Sequence, residues 1–253
     1  MKTYTEKARE IPVAAEVDVL VAGGGPAGFA AAYTAAKNGV SVLLLEQGGD
    51  VGGMSTIGLM SHWVGRADSK LYHEILRRSA DRNPGAYQGV QTRLINTEEL
   101  KTLYLEMLEE VHARLMLYTF VSDVITDNGA VTGLIVENKA GRQAILAKTV
   151  VDATGDGDVA ARAGAEFQLG RENDQKMQPM TLMFKVGGVD VENAALPGSF
   201  ESLVETEKGE LQALAKQLLP HPAGDVLLYE NVLPGIVTVN MTNVRGADGT
   251  DSG

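Results

Sequence analysis

The chain has 253 residues, 44% of them hydrophobic, which is enough for one large domain or two intertwined smaller ones. Its net charge of −11, from 22 basic and 33 acidic residues, argues against nucleic-acid or anionic-membrane partners. Cysteine is absent, which excludes disulfides, cysteine-ligated zinc and a dithiol redox pair.

Residues 1–16 read as a polar arm without the apolar core of a secretion signal. No apolar run approaches the roughly 18 residues of a membrane span, so cytoplasmic residence is the default expectation. The stretch from Val17 to Glu46 then organises the chain. An apolar strand, Val17 to Val21, runs into Gly23, Gly25 and Gly28; an alanine-rich helix stops at Gly39; a second strand, Val40 to Leu45, ends on Glu46. This is the order of parts in a dinucleotide-binding β-α-β unit. Gly23 allows the tight turn, Gly25 lets a pyrophosphate approach the backbone, and Gly28 lets the helix sit close to the sheet. The helix start, with Pro26 and Ala27, offers free N–H groups and a partial positive charge. Glu46 suits ribose hydroxyls and disfavours a 2′-phosphate, so FAD or NAD is expected rather than NADP.

Gln47 to Gly65 holds six glycines, which predicts a loop where backbone approaches a ligand. Within it Gly53, Met54, Ser55 and Thr56 are candidates for the far phosphate and the second half of the dinucleotide. His62 and Arg66 follow as candidates for proton transfer and for holding an anionic or polyhydroxy substrate, while Trp63 suits packing. Helices are predicted from Ser69 to Arg82, broken by Asn83-Pro84-Gly85, and from Asn96 to about Arg114 with Asn96 or Thr97 as cap. Leu115 to Phe120 and Val121 to Thr126 predict a strand pair or one bent strand. A turn at Asp127-Asn128-Gly129 and a hairpin across Lys139-Ala140-Gly141 come next.

A further strand ends at Val150 to Gly155. The Gly155, Gly157, Ala160 spacing resembles a second dinucleotide fingerprint, but Asp156 and Asp158 would put negative charge where pyrophosphate must sit. The better reading is a strand end passing beside the cofactor, with Thr154, Gly155 and Asp156 near it and Asp158 capping a short helix to Ala165. From Lys176 onward the expected elements are a strand from Thr181 to Val186, a helix from Ser199 to Leu218, and strands from Asp225 to Asn231 and Gly235 to Thr242. Methionines 177 to 183 suit a core. His73 and His112 fall in helices and His221 in a turn; the four histidines have no metal-ligand spacing.

The motifs D-V-L-V-A-G-G-G-P-A-G, L-L-L-E, G-G-M-S-T and V-V-D-A-T-G-D-G-D-V-A-A-R-A-G-A, with the late V-T-V-N-M-T-N-V-R-G-A-D-G-T-D, resemble a known group. It is the bacterial FAD-dependent oxidoreductases of the glutathione-reductase structural class, related to succinate dehydrogenase and fumarate reductase flavoproteins. The resemblance implies FAD as cofactor, with Gly23, Gly25 and Gly28 at the pyrophosphate and Glu46 at the adenosine ribose. It places Gly53 and Met54 near phosphate and flavin, the backbone around Val121 at the adenine, and Thr154, Gly155 and Asp156 beside the cofactor. It implies an α/β Rossmann-like fold: a three-layer parallel sheet with a β-hairpin insertion, plus an α+β substrate-side domain.

The expected division is a discontinuous FAD-binding domain, 1–66 and 112–172, a helical insertion, 67–111, and a substrate-side β-sheet domain, 173–253. The expected activity is hydride transfer between a small organic substrate and flavin. Without a second nucleotide fingerprint, a separate NAD(P)H site is not expected. Members of the group are usually longer, so the chain reads as an N-terminal portion. Two alternatives stay open: a nucleotide-binding fragment without turnover, and an NAD-using enzyme like thiazole synthase. Homo-oligomerisation is compatible with the sequence.

Overall fold

The computed structural model describes residues 2–61, 63, 68–82, 94–199, 202–220 and 224–249. His62, Arg66, the Asn83-Pro84-Gly85 break and His221 lie outside the described residues. The chain divides into two compact units, 1–51 with 104–165, and 52–103 with 166–253. The range 52–103 thus groups with the C-terminal portion.

The first unit is built on strand β1 (Val13–Ala22), helix α1 (Pro26–Lys37) and strand β2 (Val42–Leu45). Helices α2 (Lys70–Arg82) and α3 (Thr97–Glu110) come next in the chain. Strands β3 (Arg114–Met116), β4 (Phe120–Asp127), β5 (Ala130–Asn138) and β6 (Gly141–Asp152) complete a six-stranded sheet of order β3-β2-β1-β6-β5-β4. The first three neighbouring pairs are parallel and the last two antiparallel. A buried parallel sheet needs cover on both faces. Helix α1 packs on β1, β2 and β6 and covers one face.

Chain length dictates the cover on the other face. β3 and β4 are opposite edges, which a flat six-stranded sheet would hold about 24 Å apart. Only Leu117, Tyr118 and Thr119 join them, a reach of at most about 14 Å. The antiparallel part must therefore fold back over the parallel part. The core agrees: Leu43 and Leu45 of β2, Leu20 of β1, Leu134 and Val136 of β5 and Ile145 of β6 share one buried cluster, with Val121 and Val124 of β4 against it. The result is three layers: helix, parallel sheet, antiparallel meander.

Two expectations change here. Leu115 to Thr126 is neither a strand pair nor one bent strand, because Tyr118 has a left-handed backbone (φ +49°) and β3 and β4 pair with different partners. The second predicted helix ends at Glu110 rather than near Arg114. His112 turns left-handed (φ +57°), its N–H donates to the Glu109 carbonyl, and the chain passes into β3. The helix begins as expected, with Asn96 Oδ1 accepting from the N–H of Glu98 at 3.1 Å. The strand expected to end at Gly155 is the far end of β6, which starts at the hairpin.

After β6 come α4 (Asp158–Arg162), then strand β7 (Phe184–Val186), the short pair β8 (Glu205–Thr206) and β9 (Gly209–Glu210), helix α5 (Leu211–Leu218), and strands β10 (Leu228–Glu230) and β11 (Val237–Val239). In the second unit β10, β11 and β7 form an antiparallel sheet in that order. Met183, Leu227 and Tyr229 form its buried cluster, so of methionines 177 to 183, expected in a core, Met183 is core, Met177 is half-buried and Met180 is exposed. The helix expected from Ser199 starts only at Leu211. Residues 205–210 form a hairpin instead, and Glu210 caps α5, its carboxylate accepting from the N–H groups of Gln212 and Ala213 at 2.9 and 2.8 Å. Gln212 then pairs both ends of its amide with the Val226 backbone at 2.8 Å. Among the described residues no helix is long and apolar enough to cross a membrane.

Phe29 is fully buried on α1 and stacks on Tyr104 of α3 with ring centroids 3.9 Å apart. Phe29→Ala is expected to destabilise the first unit by about 3–5 kcal/mol, seen as a lower denaturant midpoint. A change below about 1 kcal/mol would contradict this packing.

Candidate functional site

The parallel strands β1, β2 and β6 deliver their carboxyl ends to one edge of the first unit. The Ala153 N–H donates to the Ala22 carbonyl at 2.8 Å, so β1 and β6 end side by side. The Gly23 N–H donates to the Leu45 carbonyl at 2.9 Å, which joins β2 to the same place. Gly23, Gly25, Pro26, Ala27, Gly28, Glu46, Gln47, Thr154, Gly155 and Asp156 thus come together at these strand ends. Open α/β sheets bind ligands at such carboxyl ends.

The glycines there have distinct reasons. Gly23 has φ +95°, and a Cβ on it would strike the Ala153 carbonyl just past β6. A Cβ on Gly28 would strike the Gly23 carbonyl. A Cβ on Gly24, a residue the fingerprint does not single out, would lie 2.9 Å from Glu46 Oε2. Gly23 and Gly28 are demanded by the backbone around them, and Gly24 is crowded by the Glu46 side chain. Gly25 is different: it has an ordinary φ of −64°, and a Cβ on it would meet nothing within 4 Å. Gly25 is the N-cap of α1, with no side-chain cap and no acidic residue in the first turn. The first-turn N–H groups therefore face open space beside the helix's positive end.

Glu46 is 8% exposed, and backbone donors orient its carboxylate. Oε2 accepts from the Gly24 N–H at 2.8 Å and Oε1 from the Gly48 N–H at 2.6 Å. A carboxylate can accept about four hydrogen bonds, so each oxygen keeps capacity for one more. The Glu46 carbonyl accepts from the Thr119 N–H at 2.9 Å, which brings the start of β4, and with it Val121, beside the acid.

Asp152 at the end of β6 is the organising group that motif reading missed. Its Oδ1 accepts from the Thr154 N–H and hydroxyl at 3.1 and 2.7 Å, and its Oδ2 from the Ala160 N–H at 2.9 Å. Burial pushes its carboxyl up, but the hydrogen bonds from Ala160 and Thr154 outweigh this and hold it below the usual range. Asp158 is not the helix cap as expected: Gly157 holds that position, and Asp158 occupies the first turn. Its N–H donates to the Thr154 hydroxyl at 2.9 Å. An acid ending a strand just before a short helix was the available signal.

The second unit holds the other loop candidates. Gly53, Met54 and Ser55 form a single 3₁₀ turn. The Ser55 hydroxyl is buried and donates to the Gly52 carbonyl at 2.9 Å, while Met54 is exposed. Thr56 is likewise buried. The candidates His62 and Arg66 lie outside the described residues.

A family model described as FAD dependent oxidoreductase matches residues 18–251. The chain belongs to the FAD dependent oxidoreductase family. FAD is therefore its cofactor, and the vacant space over Gly25 beside an oriented carboxylate fits a dinucleotide. The chain is 32% identical over 178 residues to a thiamine thiazole synthase of Aeropyrum pernix, covering 64% of this chain and 63% of that protein. It is 28% identical over 200 residues to digeranylgeranylglycerophospholipid reductase 2 of Methanopyrus kandleri, covering 71% and 47%. The chain therefore spans less than two thirds of either relative. A geranylgeranyl bacteriochlorophyll reductase-like protein of Thermoplasma acidophilum shares the fold, with TM-score 0.61, 20% identity, and 89% and 56% of the two chains covered.

The Asp152 hydrogen bonds carry a pH prediction. A depressed carboxyl stabilises the fold above the unfolded carboxyl pKa, and that contribution is lost as pH falls through the folded value. Asp152→Ala is expected to cost about 1 kcal/mol or more at pH 7. The gap to wild type should narrow as pH falls below about 4. Thermal midpoints between pH 7 and 3 measure this, and a constant gap would refute it.

Proposed function

We propose that the chain is the nucleotide-binding part of an oxidoreductase that moves a hydride between a small organic substrate and bound FAD. The observation that carries this is the open space over Gly25, framed by the first turn of α1 and the backbone-oriented Glu46 carboxylate. In this reading the N–H groups after Gly25, with Pro26, Ala27 and Gly28, hold the diphosphate. Glu46 accepts from the adenosine ribose, with Gln47 beside it. The β4 start near Val121 borders the adenine, and Thr154, Gly155 and Asp156 border the cofactor from β6. Gly53, Met54 and Ser55 are the candidates for the flavin half. When bound, the flavin supplies the electron-accepting ring. His62 and Arg66 are the substrate-side groups, His62 to hold or move a proton and Arg66 to fix an anionic or hydroxylated substrate.

The 32% identity to a thiamine thiazole synthase favours a second reading, in which the same β-α-β unit serves an adenylated thiazole made from NAD. Mass spectrometry of the ligand released from the purified protein separates FAD from NAD-derived products.

Gly25→Val gives the sharpest test of the first reading, because it separates ligand from fold. Its side chain meets no protein atom close to the Cβ, so the thermal midpoint of the ligand-free protein should stay near that of wild type. Forcing the ligand to accommodate it costs about 1–3 kcal/mol, a loss of FAD affinity on the order of ten- to hundredfold. Titration with FAD, followed by absorbance and fluorescence, measures this. Equal FAD affinity in variant and wild type, or no FAD uptake by wild type, would sink the proposal.

A further inference from the structure

Tyr118 has no part in the first unit's core. It is 72% exposed, although its neighbours Met116 and Thr119 are partly or fully buried. Its backbone is left-handed at φ +49°, a conformation that a bulky side chain rarely adopts. Two hydrogen bonds hold it there. The Tyr118 N–H donates to the Gly48 carbonyl at 3.0 Å, and the next N–H, of Thr119, donates to the Glu46 carbonyl at 2.9 Å. The ring lies against the loop that follows the acid: a Cβ on Gly49 would fall 2.8 Å from Tyr118 Cζ and would also strike the hydroxyl. One edge of the ring thus rests on Gly49, where the missing side chain leaves it room, and most of its surface stays open to solvent. Strain of this kind persists only where the surrounding structure holds it, and it clusters at ligand clamps and active sites.

We propose that Tyr118 is a base-stacking residue for the adenine of the bound dinucleotide. This rests on the reading of Glu46 as the ribose acceptor. The base is attached directly to the ribose, so a ligand with its hydroxyls on Glu46 carries its base within reach of the next residues around that acid. Those residues include Gly48, Gly49, Tyr118 and Thr119, and of these Tyr118 offers a flat apolar face, more exposed than that of Phe120 at the start of β4. Purine rings stack on such faces. The glycines at 48 and 49 leave the ring room beside the acid, and the left-handed backbone turns it away from the core and over the loop. The site selects for a flat base rather than for a sugar phosphate alone, so adenine nucleotides should bind through it even without a flavin.

ADP binding by the whole purified chain tests this with no redox readout. Tyr118→Gly removes the ring and relieves the left-handed strain, so the thermal midpoint should not fall, whereas ADP affinity should fall by about tenfold. Tyr118→Phe should keep the wild-type affinity, because the face and not the hydroxyl acts. Tyr118→Trp should show indole emission that changes on saturation with ADP, over the constant background of Trp63, the one native tryptophan. If wild type binds ADP and Tyr118→Gly binds it equally well, or the new indole is unmoved, the stacking role is overturned and the FAD reading stands. If wild type binds no ADP, the Glu46 reading beneath it fails as well.

Discussion

Three strand ends and one helix start converge at Gly23, and the space there is too small for a side chain. A Cβ at Gly23 would strike the end of β6, and one at Gly28 would strike the carbonyl of Gly23 itself. Close approach lets α1 begin immediately after β1, so its first-turn N–H groups point across the ends of β1, β2 and β6 rather than into a long loop. The acid of β2 is oriented by the same turn, since the N–H of Gly24 is one of its two backbone donors. Helix dipole, carboxylate and open volume therefore meet at one sterically tight turn.

A second constraint is the short connection between β3 and β4. It folds the meander over the parallel sheet and closes the unit's core, and it also carries β4 past the Glu46 carbonyl. The loop that closes the core is thus the loop that borders the acid. Asp152 does comparable work on the β6 side, where its carboxylate fixes Thr154 and the first turn of α4. Backbone N–H groups at the strand ends are thus accepted by a buried acid at β2 and a half-buried one at β6.

Much of this was legible in the residues. Strand, glycines, helix and acid from Val17 to Glu46 have fixed spacing because each has a local steric or electrostatic reason, and local reasons survive into the fold. The hairpin across Lys139 and Ala140 was legible on the same grounds. Misplaced elements were those decided by distant partners. Leu115 to Thr126 has uniform strand character, but its pairing depends on β2 and β5, and the break at Tyr118 has no glycine to announce it. The helix expected from Ser199 failed because the hairpin at 205–210 leads to the Glu210 cap, and a cap acts only where the chain has already turned. Asp152 escaped notice because its importance lies in donors eight residues away, on a helix that follows a glycine-rich turn.

Within the fingerprint itself, a simple distinction separates fold from ligand. Gly23, Gly24 and Gly28 are accounted for by protein atoms that would collide with a side chain, and any protein with this turn would need them. Gly25 has an ordinary φ and empty surroundings, so neither backbone conformation nor packing requires glycine there. Tyr118 is the converse case: a large ring kept in a costly backbone conformation with little of its surface buried. Folding alone would favour a side chain at position 25, which would restrict the unfolded chain, and a glycine at position 118, which would relieve strain at the loss of only the ring's contact with Gly49. Both positions hold the residue that folding disfavours, and both flank Glu46, one across the Gly24 N–H and the other across the Gly48 carbonyl. The proposed ligand, with its diphosphate toward Gly25 and its base toward Tyr118, would account for the pair together.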